Sequence, residues 1–485
     1  MGIYLNEDNS NYFTSYGEEL MNEPALRDYI GRYCRGQVKA VFLSPNAQRT
    51  SYMGAVLDPI WEGISQLPDG NASFRGKLIP KVFARMARNT LILHEKGLNP
   101  YVIWLDELKR RGMQGWISMR MNDLHSVEDP DDFQHDRFWR ENPQFWCAPY
   151  MGDCYGFALD FAEKEVRDYK LRLVSEYLAL FDFMGLELDF LRFPAYFKPG
   201  HEVRDAHFIS EMLREIRNMT EEAAQKRGHR IKLAARVPST PDNALRIGLD
   251  VLAWQKEALL DEITVSNFWP CTDSDMPMEL WRNLLGGHAV INAGLELWSA
   301  TTEEKFGGNV GISSGFASQY LHRGADNIYL FNHMWGNTGL HDDEGFCRFL
   351  DACGERESAY SQWRRHAITF RTRLPLGSPS EIAVPCHVEG FRSFRLNVGG
   401  GIEGRNATVI VGLDAALDAS QAVELRLNGN PLEKAEFPKQ SYPPSMKAGI
   451  CGKCPAPVLH EGDNVISVFI DAPGAKVVWV EICIY

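Results

Sequence analysis

The chain has 485 residues, 45% of them hydrophobic and 24% charged, a balance that builds a large folded core and excludes a disordered or fibrous protein. A formal charge of −13 argues against nucleic acid or an anionic membrane as partner. At this length two domains are expected. No apolar run approaches the ~20 residues needed to cross a bilayer. The start, MGIYLNEDNSNYF, has no basic stretch followed by an apolar one, so a cytoplasmic protein is expected, or a secreted one whose signal peptide has been removed. The ten cysteines are scattered, which suits reduced, buried thiols. Only Cys451-Gly-Lys-Cys454 has tight spacing, and it is expected to be a loop feature or a local disulfide. A lone CxxC is a weak metal signal, so no metal or cofactor is expected.

In chain order, the opening segment is polar and ends in a short helix, Glu18 to Cys34. A first strand, Val38 to Ser44, runs into a polar loop. Helical periodicity covers Leu78 to His94 and Tyr101 to Arg111, and a second strand is expected from Gly115 to Asn122. The loop Asp123 to Tyr155 is long enough to suggest a functional role. Gly156 to Asp160 reads as a third strand, helix Glu163 to Phe181 follows, and Gly185 opens a fourth. Then come helix His207 to Lys226, strand Ile231 to Arg236, helix Ile247 to Glu257 and strand Glu262 to Asn267. Helix Pro277 to Leu285, strand Ala289 to Glu296, helix Gly315 to Gly324 and strand Asn327 to Asn332 complete the series.

Eight strands alternating with helices predict an α/β fold, a (β/α)8 or TIM barrel, over residues 1–365. An open doubly wound sheet would carry a glycine-rich phosphate fingerprint after its first strand, where Ser44-Pro45-Asn46-Ala47 stands instead. Beyond Arg365 helical periodicity gives way to short β-rich runs at 367–371, 394–398, 407–411, 422–427, 464–470 and 476–482. Residues 366–485 are therefore expected to form a small all-β sandwich.

The fourth strand organises the chemistry. Along Gly185-Leu-Glu-Leu-Asp-Phe190, Leu186, Leu188 and Phe190 share one face, and Glu187 and Asp189 share the other. Two carboxylates on one face of a buried strand need partners or shifted pKa values. They form either a structural ion network, with Arg192 or Arg236, or a site. Barrel active sites lie at the carboxyl ends of the strands. Polar and aromatic groups gather at those ends: Asn46 and Arg49, Arg120 and Asn122, Asp160, Glu187 and Asp189 with Arg192, Arg236, Asn267 with Trp269, Glu296 with Trp298, and Asn332, His333 and Trp335. Such a rim suits a polyhydroxylated ligand, a carbohydrate substrate, held by aromatic faces and forked donors.

Cleavage of a glycosidic bond needs two carboxyl groups flanking the scissile oxygen. Asp189 is assigned as nucleophile or base and Glu296 as general acid. Glu187, one layer deeper, would hold a hydroxyl or tune the pair, and Glu187 and Asp189 can exchange roles. The structural alternatives are Glu296 as a partner of Arg236, Arg120 and Arg192 as clamps, and His125 and His333 as satisfied core histidines. Arg49, Arg120 and Arg236 together favour an acidic glycan, unless they neutralise Asp160, Glu187 and Asp189.

The block Val166 to Pro194, with VRDYKLRLVSEYL leading into MGLELDFLRFP, resembles the equivalent segment of glycoside-hydrolase-like (β/α)8 families. That resemblance implies a catalytic strand-four carboxylate, which falls on Asp189, and a strand-seven carboxylate, which falls on Glu296. The chain lacks the Asn-Glu pair that the largest retaining clan carries after strand four. The words LRLNGNPL and LHEGDNVI similarly resemble the jelly-roll modules appended to glycoside hydrolases. Two other readings share the architecture. A metal-dependent sugar isomerase or epimerase needs several ligands converging on one ion, and no HxH appears. A non-catalytic glycan-binding barrel would use the same cleft. Oligomeric state is not specified by the sequence.

Overall fold

The computed structural model describes residues 1–67, 70–268, 271–287, 289–298, 310–335, 343–369, 383–388, 390–417, 422–471 and 474–485. Eight parallel strands close into a barrel: β1 (Ile3–Glu7), β2 (Val38–Leu43), β3 (Gln114–Arg120), β4 (Gly185–Asp189), β5 (Lys232–Pro238), β6 (Glu262–Ser266), β7 (Val290–Glu296) and β8 (Asn327–Phe331). They pair in chain order, and β8 closes on β1. Among the described residues no helix is long and apolar enough to cross a membrane.

The expected barrel is present, with two corrections that offset each other. Ile3–Glu7 is a barrel strand, not part of a polar lead-in: Ile3 and Leu5 join the core under the helices, and Tyr4 turns into the barrel. Gly156 to Asp160 is no strand. It follows a 3-10 turn, Cys154–Phe157, capped by the Asp153 carboxylate on the Gly156 amide at 3.0 Å. Only Leu159 makes an isolated bridge, to Trp146. Asp160 therefore belongs to one long excursion between β3 and the helix Lys164–Leu180. Several strands also end a residue or two early, leaving Ser44, Asn122, Asn267 and Asn332 just beyond them. The helix expected from Glu18 to Cys34 is a 3-10 turn plus Glu23–Gly31, started by Asn22 accepting from the Ala25 amide at 3.0 Å.

The period of two along β4 decides the rest. Leu186 and Leu188 pack under the helical shell, while Glu187 and Asp189 turn inward. Deep in the barrel, Tyr4, Phe42, Trp116 and Tyr329 fill the space, with Phe42 and Trp116 stacked at 4.7 Å. Gly185 is required there, since a Cβ would lie 2.4 Å from the Trp116 ring. Polar groups at the base bond to one another: Lys232 donates to Glu262 at 2.8 Å and Asn292 to the same carboxylate at 3.2 Å.

The β-domain has two antiparallel sheets. One runs Arg364–Ala367, Lys476–Ile484, Ala407–Leu413, Ala448–Cys454, Glu433–Lys434; the other runs Phe391–Asn397, Asp463–Ile470, Val423–Leu427, Asn430–Pro431. Val480, Ile482 and Ile484 face the sandwich interior, whereas Trp479 and Cys483 face the barrel core. The expected CxxC loop is corrected here. Cys451 and Cys454 lie in the strand Ala448–Cys454, three residues apart and so on opposite faces, and both are free thiols. Cys451 joins the barrel-side core and Cys454 the sandwich core.

Candidate active site

At the carboxyl rim, Asp189 of β4 and Arg236 of β5 are register partners. Arg236 donates from Nε at 2.9 Å and Nη2 at 3.2 Å, and the Leu191 amide adds a third bond to Asp189 at 2.9 Å. The guanidinium lies 3.8 Å from the ring centroid of Phe331, which ends β8. Beneath it, Glu187 accepts from Ser118 at 2.7 Å, Tyr329 at 2.8 Å and Thr264 at 3.3 Å. Burial, then the charge of Asp189, pushes the Glu187 carboxyl up to about 7.

Glu296 ends β7 and keeps 5% exposure. Its Oε2 accepts from Asn332 at 3.1 Å, and Asn332 takes a left-handed φ of 60° that Asn tolerates better than most residues. Thr272 ties down the Glu296 backbone at 2.9 and 3.1 Å. Burial pushes this carboxyl up to about 7 against the pull of Arg236, Asn332 and Arg192. A carboxyl of that kind carries its proton in mildly acidic solution and can donate it.

The other half of the rim is a charged chain. Arg120, ending β3, donates to Asp8 after β1 and to Asp123 at 2.9 Å. Asp123 in turn accepts from, or binds, His125 Nδ1 at 2.6 Å. Burial works against ionising Asp123, but His125 and Arg120 hold it well below the usual carboxylate range. His125 Nε2 lies 3.4 Å from Arg192 Nη2. Asp8, Arg49, Arg120, His125 and Arg192 help to line a cavity of about 220 Å³. Asp8 was missing from the sequence assignment, and reading Ile3–Glu7 as a strand would have placed it at this rim.

The remaining assigned residues are placed as follows. Asn46 bonds to the Arg120 backbone on both sides and accepts from Tyr177 at 2.8 Å. Asn122 holds the carbonyls of Ala195 and Leu159, and Asn267 that of Cys271. These three asparagines brace loops. Arg49 donates to the carbonyls of Phe133 at 2.7 Å and Glu62 at 2.6 Å while lining the cavity. Asp160 lies 3.5 Å from Lys198 in the excursion, away from any barrel strand. His333 Nδ1 meets the Phe331 carbonyl at 2.9 Å. Trp335 packs between Tyr33 and Phe346 in the helical shell. Trp298 is half-buried, its carbonyl accepting from the Thr272 amide at 3.2 Å. Trp269 lies outside the described residues.

No family model matches the chain, and no curated protein matches it. Solved structures similar to it include glycoside hydrolases and a glucanotransferase. A cycloisomaltooligosaccharide glucanotransferase from Paenibacillus sp., complexed with cycloisomaltoheptaose, aligns at 9% identity and a TM-score of 0.34. That alignment covers 99% of this chain but only 57% of the glucanotransferase. The catalytic domain of GH30 xylanase C from Talaromyces cellulolyticus aligns at 10% identity over 97% of this chain and 96% of its own, with a TM-score of 0.36. The glycoside hydrolase domain of PgaB (BpsB) from Bordetella bronchiseptica aligns at 11% identity over 73% of this chain and 98% of its own, with a TM-score of 0.40. Likeness at this level transfers neither substrate nor catalytic residues; the barrel-plus-sandwich architecture rests on the sheet topology of the chain itself.

Proposed function

We propose that the chain is a glycoside hydrolase acting on a carbohydrate through two carboxyl groups, with Glu296 as general acid and Asp189 as its partner. One observation carries this reading: carboxyls end β4 and β7 on the same rim in unlike environments. Both are nearly sealed from water, but Asp189 is gripped by a guanidinium, whereas Glu296 is held by Asn332 and pushed up to about 7. Carboxyls held in unlike environments can divide acid and base roles. Glu296 gives its proton to the glycosidic oxygen as the bond from the anomeric carbon breaks and its electron pair passes to that oxygen. Asp189 stabilises the developing positive charge, and serves as nucleophile or as base toward water according to the carboxyl separation. Glu187, sealed below Arg236, supports that guanidinium from beneath. In this reading residues 1–365 carry the chemistry and residues 366–485 form an accessory domain.

A panel of aryl glycosides, assayed with the wild type and with Asp189→Asn and Glu296→Gln, tests the proposal. Both variants are expected to lose turnover while retaining sugar binding. A wild type that binds sugars without turnover would make the chain a glycan-binding protein, and turnover abolished by chelators would point to a metal-dependent isomerase.

A further inference from the structure

Each arginine at the rim can be asked what balances its charge. Arg236 has Asp189, and Arg120 has Asp8 and Asp123. These two therefore neutralise neighbours, and the sequence argument that they attract an acidic ligand loses its basis. Arg49 meets only the backbone carbonyls of Phe133 and Glu62, and Arg192, three residues after Asp189 in the segment that follows β4, has less still. Among the described residues no carboxylate lies within 4 Å of its guanidinium, while Arg120 and Arg49 line the same cavity. Among the described residues its only hydrogen-bond contact is His125 Nε2 at 3.4 Å, and its Nε is buried with no acceptor. The Phe331 ring stands 5.9 Å away. Burial, and then repulsion from Arg120, lowers its hold on the proton against the pull of Asp8, Asp123 and Asp189.

A buried guanidinium nitrogen with no acceptor is costly, and such groups persist where a ligand completes them. We infer that the cavity beside β1, β2 and β3 takes the carboxylate of an acidic sugar, with Arg192 as its anchor. Arg192 and Arg49 both line the cavity with no carboxylate within 4 Å among the described residues and with a buried Nε that has no acceptor, and the planar fork of an arginine fits a carboxylate. The cavity, about 220 Å³, is smaller than a drug-sized site of ~300–1,000 Å³, so it suits a single sugar ring. His125, oriented by Asp123 through Nδ1, turns Nε2 toward Arg192 and holds the anchor in place. The inference rests on the proposal that the barrel mouth binds carbohydrate, and it names the class of that carbohydrate: a uronic-acid-containing glycan.

Calorimetric titration at fixed ionic strength and pH 6 tests it, with glucuronate, galacturonate, glucose, galactose, inorganic sulfate and inorganic phosphate as probes. At least one uronate is expected to bind at least ~10-fold more tightly than its neutral counterpart, the difference one lost charge-assisted contact makes. Arg192→Gln should abolish that preference and Arg192→Lys should keep part of it. Equal binding of uronate and neutral sugar, absence of uronate binding, or tighter binding of sulfate or phosphate would each overturn the inference. Glu296→Gln separates this from the hydrolase proposal, since it should stop turnover and leave the uronate preference intact. Cleavage of neutral glycosides with no uronate binding defeats the anchor and keeps the hydrolase. Uronate binding through Arg192 with no turnover on any glycoside does the reverse.

Discussion

Asp189 and Arg236 face each other across β4 and β5 as Cα partners, and the guanidinium closes on the carboxylate at 2.9 and 3.2 Å. Each is 1% exposed. Removing one partner strands a buried charge, so Arg236→Ala should lower unfolding free energy by about 3–5 kcal/mol. Replacing both, as in Asp189→Asn with Arg236→Met, should recover much of that loss. Urea denaturation of the two singles and the double reads the coupling, and strictly additive losses would contradict it.

Glu7 makes stability depend on pH. It is buried between Asn11, which donates at 3.1 Å, and Tyr33, which donates at 2.8 Å, and burial pushes its carboxyl up to about 8. An unfolded glutamate titrates near ~4.3, so the folded state holds the extra proton between that value and about 8. Stability must therefore fall as pH rises through this window. Glu187 and Glu296, both pushed up to about 7, add losses of the same sign. Glu7→Gln mimics the protonated form. It should match the wild type near pH 4.5 and exceed it above pH 8 by on the order of 1–3 kcal/mol. Denaturation curves that stay parallel across that range would refute the assignment.

A second buried pair lies on the barrel-facing side of one sandwich sheet. Arg365 and Glu481 are fully buried, and Glu481 also accepts from Trp479 Nε1 at 2.7 Å and Gln440 at 3.2 Å. Trp479 and Ile410 of the same sheet pack with the barrel-side core. Glu481→Ala should cost about 3–5 kcal/mol, and should loosen the sandwich from the barrel as well. Faster proteolysis between residues 352 and 368 would register the second effect; an unchanged cleavage rate would place the pair outside the joint.

The sequence revealed the barrel because helix and strand periods alternate cleanly, and the parity of Leu186-Glu-Leu-Asp189 put both carboxylates inside. It concealed β1 because that strand turns polar toward its end. Glu7 and Asp8 look solvent-exposed until Tyr33 and the Arg120 side chain, 112 residues away, are folded onto them. Gly156 to Asp160 imitated a strand because Phe157 and Leu159 alternate with small residues. There Asp153 instead starts a 3-10 turn and Trp139 donates to the Phe157 carbonyl at 2.9 Å. Residue types at the rim were legible, but the pairing of arginine with carboxylate was not, since it depends on strand register. That pairing is what distinguishes Arg192 from Arg120 and Arg236.

Glu296 as proton donor is the central claim, and leaving-group dependence tests it most directly. An acid is needed only when the departing oxygen is a poor leaving group. For a glycoside the wild type cleaves, Glu296→Gln should lower kcat by about 10²–10⁴-fold with an unactivated sugar leaving group. With a dinitrophenyl leaving group, which departs without a proton, the loss should be less than about tenfold. Equal losses for both substrates, or no loss for either, would contradict the assignment of Glu296.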